Sequence, residues 1–314
     1  MTSLFQITRR ALLVGAASAA TFPARAQSQK LRVGVQKYGT LIVLEVSGAL
    51  EKRLTPKGVA VEWTEFPAGP QLLEALNGGS LDFGITGEAP PVFAQAAGVP
   101  FVYVGADQPA PTGEAILVAK DSPIRTVADL KGKRVAFNRG SNVHYLLIAA
   151  LEKAGLHFND IEPAYLAPAD GRAAFARGSV DAWVIWDPYL AAGQAATHAR
   201  VLADATGLAN NPQFYLASSS FAKARPDLLR VLLDEIGKTD DWAAKHQGDV
   251  AKLLAPHTGL SLDVLHVALA RLGYGVGPIT ADIIASQQRI ADTFFKAGVL
   301  PKEIAVRDAV WHLT

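Results

Sequence analysis

Three glycine-containing turns carry backbone and side-chain groups that could hold an anion. In the most informative of them, residues 134–147, an alternating strand leads into Gly140, Ser141 and Asn142 and then into an apolar helical stripe. Glycine tolerates a positive φ and serine is a favoured N-cap, so the pattern predicts a strand, a tight turn and a helix. The first N–H groups of such a helix lack intrahelical partners and, with the helix dipole, form a ready anion site. The same pattern also fits an ordinary capped turn that binds nothing.

Two further turns have the same character. Thr86 and Gly87 follow a short apolar strand and precede a helix, which predicts a second set of outward-pointing backbone donors. Gln36, Tyr38 and Thr40 follow the first strand after the N-terminal segment, at the carboxyl end where open α/β sheets place ligands. The alternative for this third turn is a solvated loop.

The elements around these turns alternate between strands and helices, and from residue 226 onward the pattern is helical. Such an order predicts two α/β lobes joined by two crossovers, with a ligand cleft between them. Apolar or alternating segments predict strands at residues 31–35, 59–66, 81–85, 101–105, 115–119, 134–137, 164–166, 180–186 and 213–218.

The lobe boundaries follow from the crossovers. Residues 108–113 are rich in proline, which suits a crossover, and we expect the second crossover near residues 216–221. These positions predict a first lobe at residues 27–113, a second lobe at residues 114–217, and a return to the first lobe with C-terminal helices at residues 218–314.

Residues 1–26 have the features of an export signal. Arg9 and Arg10 precede an apolar run too short to span a bilayer, and an A-x-A cleavage motif ends at Ala26. The paired arginines resemble a twin-arginine signal, although a Sec signal also begins with positive charge. Cleavage after Ala26 would leave 288 of the 314 residues and change the formal net charge from +1 to −2. A near-neutral surface argues against nucleic acid as a partner.

The cysteine and histidine content restricts the chemistry further. The chain has no cysteine, which excludes disulfides, thiolate metal sites and a lipid-anchored cysteine and predicts a freely soluble periplasmic protein. The seven histidines are scattered, without an H-E-x-x-H motif, so we expect no metal site. We expect no cofactor either.

Several segments resemble the periplasmic aliphatic-sulfonate-binding proteins of ABC importers, in the sulfonate/nitrate/taurine substrate-binding family. The similarity covers nearly the whole mature chain in order, and it implies a type II periplasmic binding fold whose lobes close on an anion. It also implies capture of aliphatic sulfonates for an inner-membrane ABC permease in sulfur acquisition, and we expect a monomer. The segments are residues 66–76, 86–98, 122–124, 127–132 and 180–189.

The resemblance implies sulfonate contacts from the three turns and from the corner that follows the strand at residues 180–186. Aromatic side chains near them are candidates for an apolar wall against the organic tail. The predicted ligand-binding residues are Gln36, Tyr38, Phe66, Thr86, Gly87, Arg139, Gly140, Ser141, Asn142, Trp186, Asp187 and Tyr215.

Several of these residues have more than one interpretation. Family members often carry serines where this chain has Asn142 and Val143; the asparagine can still donate through its side chain, whereas the valine cannot. Arg139 could add a charge to the site or face solvent. Asp187 would repel a sulfonate, so it either orients neighbours or receives an amino group of the ligand. Trp186 could simply end a core strand.

His144 is better interpreted as a structural helix residue than as a ligand contact. Alternatives also remain at the level of function. Taurine, nitrate or a thiamine-precursor pyrimidine could replace the aliphatic sulfonate as the ligand. An enzyme on the same fold is opposed by the absence of a Ser-His-Asp grouping, paired catalytic carboxylates and cysteine. The effector half of a transcription regulator is opposed by the export signal.

Overall fold

A computed structural model describes residues 29–311, and the predicted export signal lies outside this range. The described chain forms two five-stranded sheets with helices packed on them. The strands are β1 (Gln29–Val35), β2 (Val59–Glu65), β3 (Phe83–Thr86), β4 (Phe101–Ala106), β5 (Glu114–Val118), β6 (Arg134–Phe137), β7 (Glu162–Tyr165), β8 (Ala182–Trp186), β9 (Arg200–Asp204) and β10 (Phe214–Ser218).

The helices follow most strands in the manner of βα units. They are α1 (Leu41–Ser47), α2 (Ala49–Leu54), α3 (Gly69–Asn77), α4 (Ala89–Ala96), α5 (Asn142–Lys153), α6 (Pro168–Ala176), α7 (Tyr189–Thr197), α8 (Ser219–Ala224), α9 (Pro226–Lys245), α10 (Gln247–Thr258), α11 (Leu262–Ala270) and α12 (Ala281–Lys296).

Each sheet defines one lobe. The first sheet has the order β2-β1-β3-β10-β4, and β10 is antiparallel to both of its neighbours. The second sheet has the order β7-β6-β8-β5-β9, and β5 is antiparallel to both of its neighbours. In each sheet the antiparallel strand is the one that arrives directly from the other lobe. The predicted fold class, two α/β lobes joined by two crossovers, is confirmed.

The two crossovers run side by side and are hydrogen-bonded to each other. They comprise residues 107–113 and 205–213, and the N–H of Asp107 donates to the carbonyl of Gln213 at 2.9 Å. The predicted end of the second lobe at residue 217 is therefore wrong, because β10 pairs with β3 and β4 of the first sheet. The strand β9 was not predicted, because its residues do not alternate regularly between apolar and polar side chains.

The lobes pack closely against each other in this structure. The apolar core around β5, β6 and β8 includes Tyr38 from the first lobe. The core between α4 and α12 includes Ile148 from α5 of the second lobe. Shared cores of this kind indicate the closed form of a two-lobed fold. None of the helices in residues 29–311 combines the length and apolar character that crossing a membrane requires.

Candidate ligand-binding site between the lobes

A cavity lies where the turns of the two lobes meet. Its volume, as the space that the centre of a water molecule can occupy, is about 10 Å³ in this closed form. Both lobes contribute to its wall, and no lining residue carries a charge. The lining residues are Gln36, Tyr38, Gly69, Gly87, Pro90 and Gln213 from the first lobe, and Ser141, Asn142 and Trp186 from the second.

The start of α4 supplies backbone donors from the first lobe. In the described range, the N–H groups of Gly87, Glu88 and Ala89 have no hydrogen-bond acceptor. Pro90 and Pro91 occupy the next two positions and have no N–H, which suits the first turn of a helix. Of the three donor residues, Gly87 lines the cavity, so the positive end of the helix dipole lies beside it.

The start of α5 supplies the donors of the second lobe. Gly140 has a φ of 76°, as the sequence predicts for the turn. The Ser141 hydroxyl donates to the carbonyl of Asn138 at 2.8 Å instead of capping the helix, so the predicted side-chain cap is absent. Within residues 29–311, the N–H groups of Asn142 and Val143 have no acceptor. The donors of this turn are thus main-chain groups.

His144 holds the same turn in place. Its Nδ1 accepts from the N–H of Gly140 at 3.3 Å, and its ring stacks on Phe137 with centroids 5.0 Å apart. Burial, and secondarily the charge of Arg139, lowers the pKa of His144 to about 4. The ring is therefore neutral at physiological pH. These contacts support the structural interpretation of His144.

The two helix starts touch across the cleft. A Cβ added at Gly87 would lie 3.0 Å from Cγ of Asn142, closer than side chains ordinarily approach. The Asn142 amide does not donate into the cavity, because its Nδ2 donates to the Glu114 carboxylate and, at 3.0 Å, to Oδ1 of Asn211. In this structure both donor bonds of the Asn142 amide go to protein acceptors, and its donation to a ligand stays a prediction.

Polar and aromatic side chains complete the wall. The Gln36 amide is fixed by donation to the carbonyl of Ile85 at 2.9 Å. Tyr38 lines the cavity, while its hydroxyl lies against Gly113, where an added Cβ would be 2.6 Å away. Trp186 is buried and packs edge-on against Tyr189. Tyr38 and Trp186 are thus the aromatic residues that the structure brings to the cavity.

Two predicted aromatic residues lie elsewhere. Tyr215 is fully buried in the first lobe, with its ring stacked on Phe83 and its hydroxyl 3.4 Å from Oγ1 of Thr40. Phe66 packs on the core beside α3 and α4 and does not line the cavity. Tyr215 lies in β10 with its side chain on the face of the sheet that is turned away from the cavity, whereas Phe66 follows the end of β2 and packs on a core instead.

Three other predicted residues stand beside the cavity without lining it. The Thr86 hydroxyl donates to the carbonyl of Gly87 at 3.0 Å. The N–H of Gly140 donates to the His144 ring, as described above. Arg139 is exposed and places its guanidinium 5.3 Å from the ring centre of Tyr165, so it adds no charge to the cavity.

Asp187 forms an ion pair behind the cavity. Its carboxylate accepts from Arg271 at 3.3 Å and from the N–H of Ala191 at 2.9 Å. Burial raises the pKa of Asp187 to about 6, and Arg271 acts in the opposite direction. Arg271 follows α11, which packs on the first-lobe core, so this pair joins the lobes. The interpretation that Asp187 orients neighbours fits these contacts.

A buried pair of carboxyl groups lies beside the cavity and had no signal in the sequence. Glu88 precedes α4 in the first lobe and Glu114 begins β5 in the second; both are fully buried. Glu88 accepts from the N–H of Asn211 at 3.1 Å, and Glu114 accepts from Asn142. Burial raises the pKa of Glu88 to about 8. Burial, and then the nearby Glu88, raises the pKa of Glu114 well above its usual value.

Gly69, Pro90 and Gln213 also line the cavity but were not predicted as site residues. Gly69 and Pro90 lie inside two segments that carry the family resemblance, so a weak signal existed for them. Gln213 precedes β10 and had none. The completed wall offers neutral donors from both lobes, an arrangement suited to holding an anion without proton transfer.

The chain is similar to several known proteins. A family model described as NMT1/THI5 like matches residues 55–249. A putative aliphatic sulfonates-binding protein of Escherichia coli is 45% identical over 96% of this chain and 95% of its own length. One of the same description from Bacillus subtilis is 32% identical over 90% and 86%. The solved alkanesulfonate-binding protein SsuA of Xanthomonas axonopodis pv. citri, bound to MOPS, is 43% identical, covers 91% of this chain and 99% of its own, and has a TM-score of 0.86.

Proposed function

Since this chain belongs to the NMT1/THI5-like family, we propose that it is a binding protein that captures aliphatic sulfonates for an ABC importer. Its relatives in Escherichia coli and Bacillus subtilis carry the description of putative aliphatic sulfonates-binding proteins. The Xanthomonas protein holds MOPS, which is itself a propanesulfonate. These relatives support an organic sulfonate as the ligand.

The observation that carries the proposal is the pair of helix starts on opposite walls of one uncharged cavity. In the described range the N–H groups of Gly87 and Glu88 in the first lobe, and of Asn142 and Val143 in the second, have no acceptor. Gly87 and Asn142 line the cavity. A sulfonate is a tetrahedral anion that stays ionised at any physiological pH. It therefore needs several converging donors and no general base, which is what this cavity supplies.

The number of donors is sufficient for useful affinity. A hydrogen bond to a charged group contributes about 1.5–3 kcal/mol. Three or four such bonds, after the free-energy cost of association, correspond to a dissociation constant on the order of micromolar. Because the donors come from both lobes, the ligand stabilises the closed form over the open one.

The closed, loaded protein would then be the form that an inner-membrane permease recognises. We propose that the protein acts as a monomer in the periplasm, exported by the signal at residues 1–26 through the twin-arginine or the Sec route. A solved Escherichia coli structure described as a periplasmic aliphatic sulphonate binding protein, 44% identical to this chain, supports the location.

We propose binding without catalysis. Ser141 is the only hydroxyl-bearing aliphatic residue on the cavity wall, and its hydroxyl donates to Asn138. The neighbouring His144 cannot activate it, because Nδ1 already accepts from Gly140. The chain has no cysteine to serve as a nucleophile in its place.

Calorimetry with a ligand panel tests the function. We expect methanesulfonate and longer alkanesulfonates to bind with micromolar or better affinity, and taurine, nitrate and the thiamine-precursor pyrimidine to bind at least tenfold more weakly. A clear preference for nitrate or the pyrimidine would overturn the choice of ligand. Turnover of an alkanesulfonate by the purified protein would overturn the assignment as a non-enzyme.

The ion pair behind the cavity gives a second prediction. Arg271→Ala leaves the buried Asp187 without its partner in the closed form only, so we expect about tenfold weaker methanesulfonate binding. Arg307→Ala, at an exposed position, is the control and should bind like the unmodified protein. Equal affinities for both variants, measured by calorimetry, would show that the pair does not contribute to closure.

A further inference from the structure

Asn211 lies in the second crossover and has an unusual backbone conformation. Its φ is 48°, in the left-handed region, and within residues 29–311 only His198 shares a positive φ among the non-glycine residues. Glycine adopts this region at the lowest cost, and asparagine is one of the few other residues that visit it. Asn211 is also completely buried. Such a conformation persists where the surrounding contacts fix it, which directs attention to the partners of this side chain.

The polar groups of Asn211 join three separate segments of the chain. Its N–H donates to the carboxylate of Glu88 at 3.1 Å, at the start of α4 in the first lobe. Its Oδ1 accepts from the amide of Asn142 at 3.0 Å, at the start of α5 in the second lobe. Its Nδ2 donates to the carbonyl of Ala110 at 2.9 Å, in the first crossover. One residue is therefore bonded to both helix starts and to the neighbouring crossover.

The first crossover packs closely around this side chain. A Cβ added at Gly113 would lie 3.4 Å from Nδ2 of Asn211. The N–H of Ala110 donates to the carbonyl of Asn210 at 2.9 Å, while the carbonyl of Ala110 accepts from Asn211. Two hydrogen bonds thus tie Ala110 to consecutive residues of the second crossover. The paired crossovers form the support from which the Asn211 side chain contacts α5.

The contact between Asn211 and Asn142 belongs to the closed form. Glu88 lies in the first lobe and Asn142 in the second, and the two helix starts approach so closely that a Cβ at Gly87 would be 3.0 Å from Cγ of Asn142. Opening moves the helix starts apart, so both can bond to Asn211 together only when the lobes are closed. Asn211 therefore holds the two halves of the anion site in register.

We propose that Asn211 is a positioning residue for the sulfonate site: it fixes the Asn142 amide, and with it the unpaired N–H groups at the start of α5, against the start of α4. This inference rests on the proposed function. Asn211 does not line the cavity and does not need to touch the ligand. It acts through Asn142, which lines the cavity and whose amide also donates to Glu114.

Asn211→Gly keeps the left-handed backbone and removes only the side chain. The bond to Ala110 lies within the crossovers, so its loss should lower the unfolding temperature rather than the affinity. Loss of the bond from Asn142 leaves a buried donor unpaired in the closed form, whereas water can satisfy that donor in the open form. We expect methanesulfonate to bind about tenfold more weakly in calorimetric titrations.

His198→Gly is the matched control. His198 has a comparable φ of 52° but is exposed at the end of α7. Removing its side chain should leave the affinity for methanesulfonate unchanged. Circular dichroism should show that both glycine variants are folded.

Two readouts separate positioning from a general structural role. Asn142→Ala removes the same hydrogen bond from its other end, so adding Asn211→Gly to it should weaken binding by no more than about twofold further. In NMR spectra, the side-chain amide protons of Asn142 are assigned by their absence in Asn142→Ala. With methanesulfonate bound, they should exchange slowly with water in the unmodified protein and in His198→Gly, and faster in Asn211→Gly.

The outcomes distinguish the positioning role from the proposed function. Normal affinity in Asn211→Gly, or a full further tenfold loss when it is added to Asn142→Ala, would overturn the role of Asn211 while leaving sulfonate binding intact. If Asn211→Gly does not fold, the affinity of Asn142→Ala decides: a loss of about tenfold supports the role, and an unchanged affinity overturns it. Failure of every alkanesulfonate to bind the unmodified protein would overturn the proposed function itself.

Discussion

Gly87→Val is expected to reduce alkanesulfonate affinity at least 100-fold while leaving the protein folded. In the closed form a Cβ at this position would be 3.0 Å from Cγ and 3.1 Å from Oδ1 of Asn142. Asn142 cannot retreat easily, because its Nδ2 is fixed by Glu114 and Asn211. The valine therefore holds the helix starts apart, and neither can complete the anion site. A 100-fold loss corresponds to ~2.8 kcal/mol.

The measurement pairs calorimetry with small-angle X-ray scattering. Methanesulfonate should contract the unmodified protein but not Gly87→Val. Gly248→Val is the control, since Gly248 is exposed and an added Cβ there has no neighbour within 4 Å. Its affinity and contraction should match those of the unmodified protein. Contraction and normal affinity in Gly87→Val would show that the ligand is held without this contact.

We also expect the affinity for methanesulfonate to depend on pH, although methanesulfonate itself stays ionised at every pH considered. Glu88 of the first lobe and Glu114 of the second are both fully buried in the closed form, and burial raises the pKa of Glu88 to about 8 from an ordinary value of 4.5. Burial and Glu88 also raise the pKa of Glu114. Opening separates the two carboxyl groups and admits water to them. The closed form therefore holds a proton that the open form releases.

The direction of the effect follows from the raised pKa. Below about pH 4.5 both forms are protonated, so pH does not affect closure. Between about 4.5 and 8 the closed form binds more protons and loses stability as pH rises. Above about 8 the loss levels off. Methanesulfonate affinity should fall by at most about tenfold per pH unit for each of the two carboxyl groups that stays protonated in the closed form.

Calorimetry from pH 5.5 to 8.5, in buffers of different ionisation enthalpy, measures the affinity and also the proton uptake, which can reach up to two protons per ligand. Glu88→Gln keeps an acceptor for the N–H of Asn211 but cannot ionise, so it should weaken the pH dependence and bind more tightly at pH 8. Glu303→Gln, at an exposed position, should behave like the unmodified protein. Constant affinity across this range without proton uptake would contradict the mechanism.

The local chemistry of the turns could be predicted from the sequence, because it depends on neighbouring residues only. Gly140 adopts its positive φ, and α4 and α5 begin after Gly87 and Ser141. The strand and helix order predicted two α/β lobes for the same reason. Six predicted site residues line the cavity: Gln36, Tyr38, Gly87, Ser141, Asn142 and Trp186.

The direction of individual side chains could not be predicted in this way. All five residues of β10 are buried, so its pattern gives no indication of which face of the sheet meets the cavity. Tyr215 consequently packs inside the first lobe. The hydrogen bonds of the Asn142 side chain could not be predicted either, because its partners Glu114 and Asn211 lie 28 and 69 positions away in the sequence.

The amino-acid sequence by itself determined the turn conformations, the free helix starts and the order of the elements, because backbone stereochemistry and hydrophobic periodicity act over a few residues. Only the tertiary structure decided that β10 belongs to the first lobe, that Glu88 and Glu114 are buried near each other, and that Asp187 pairs with Arg271. These pairings arise from packing and charge burial between segments far apart in the chain, where no local pattern operates.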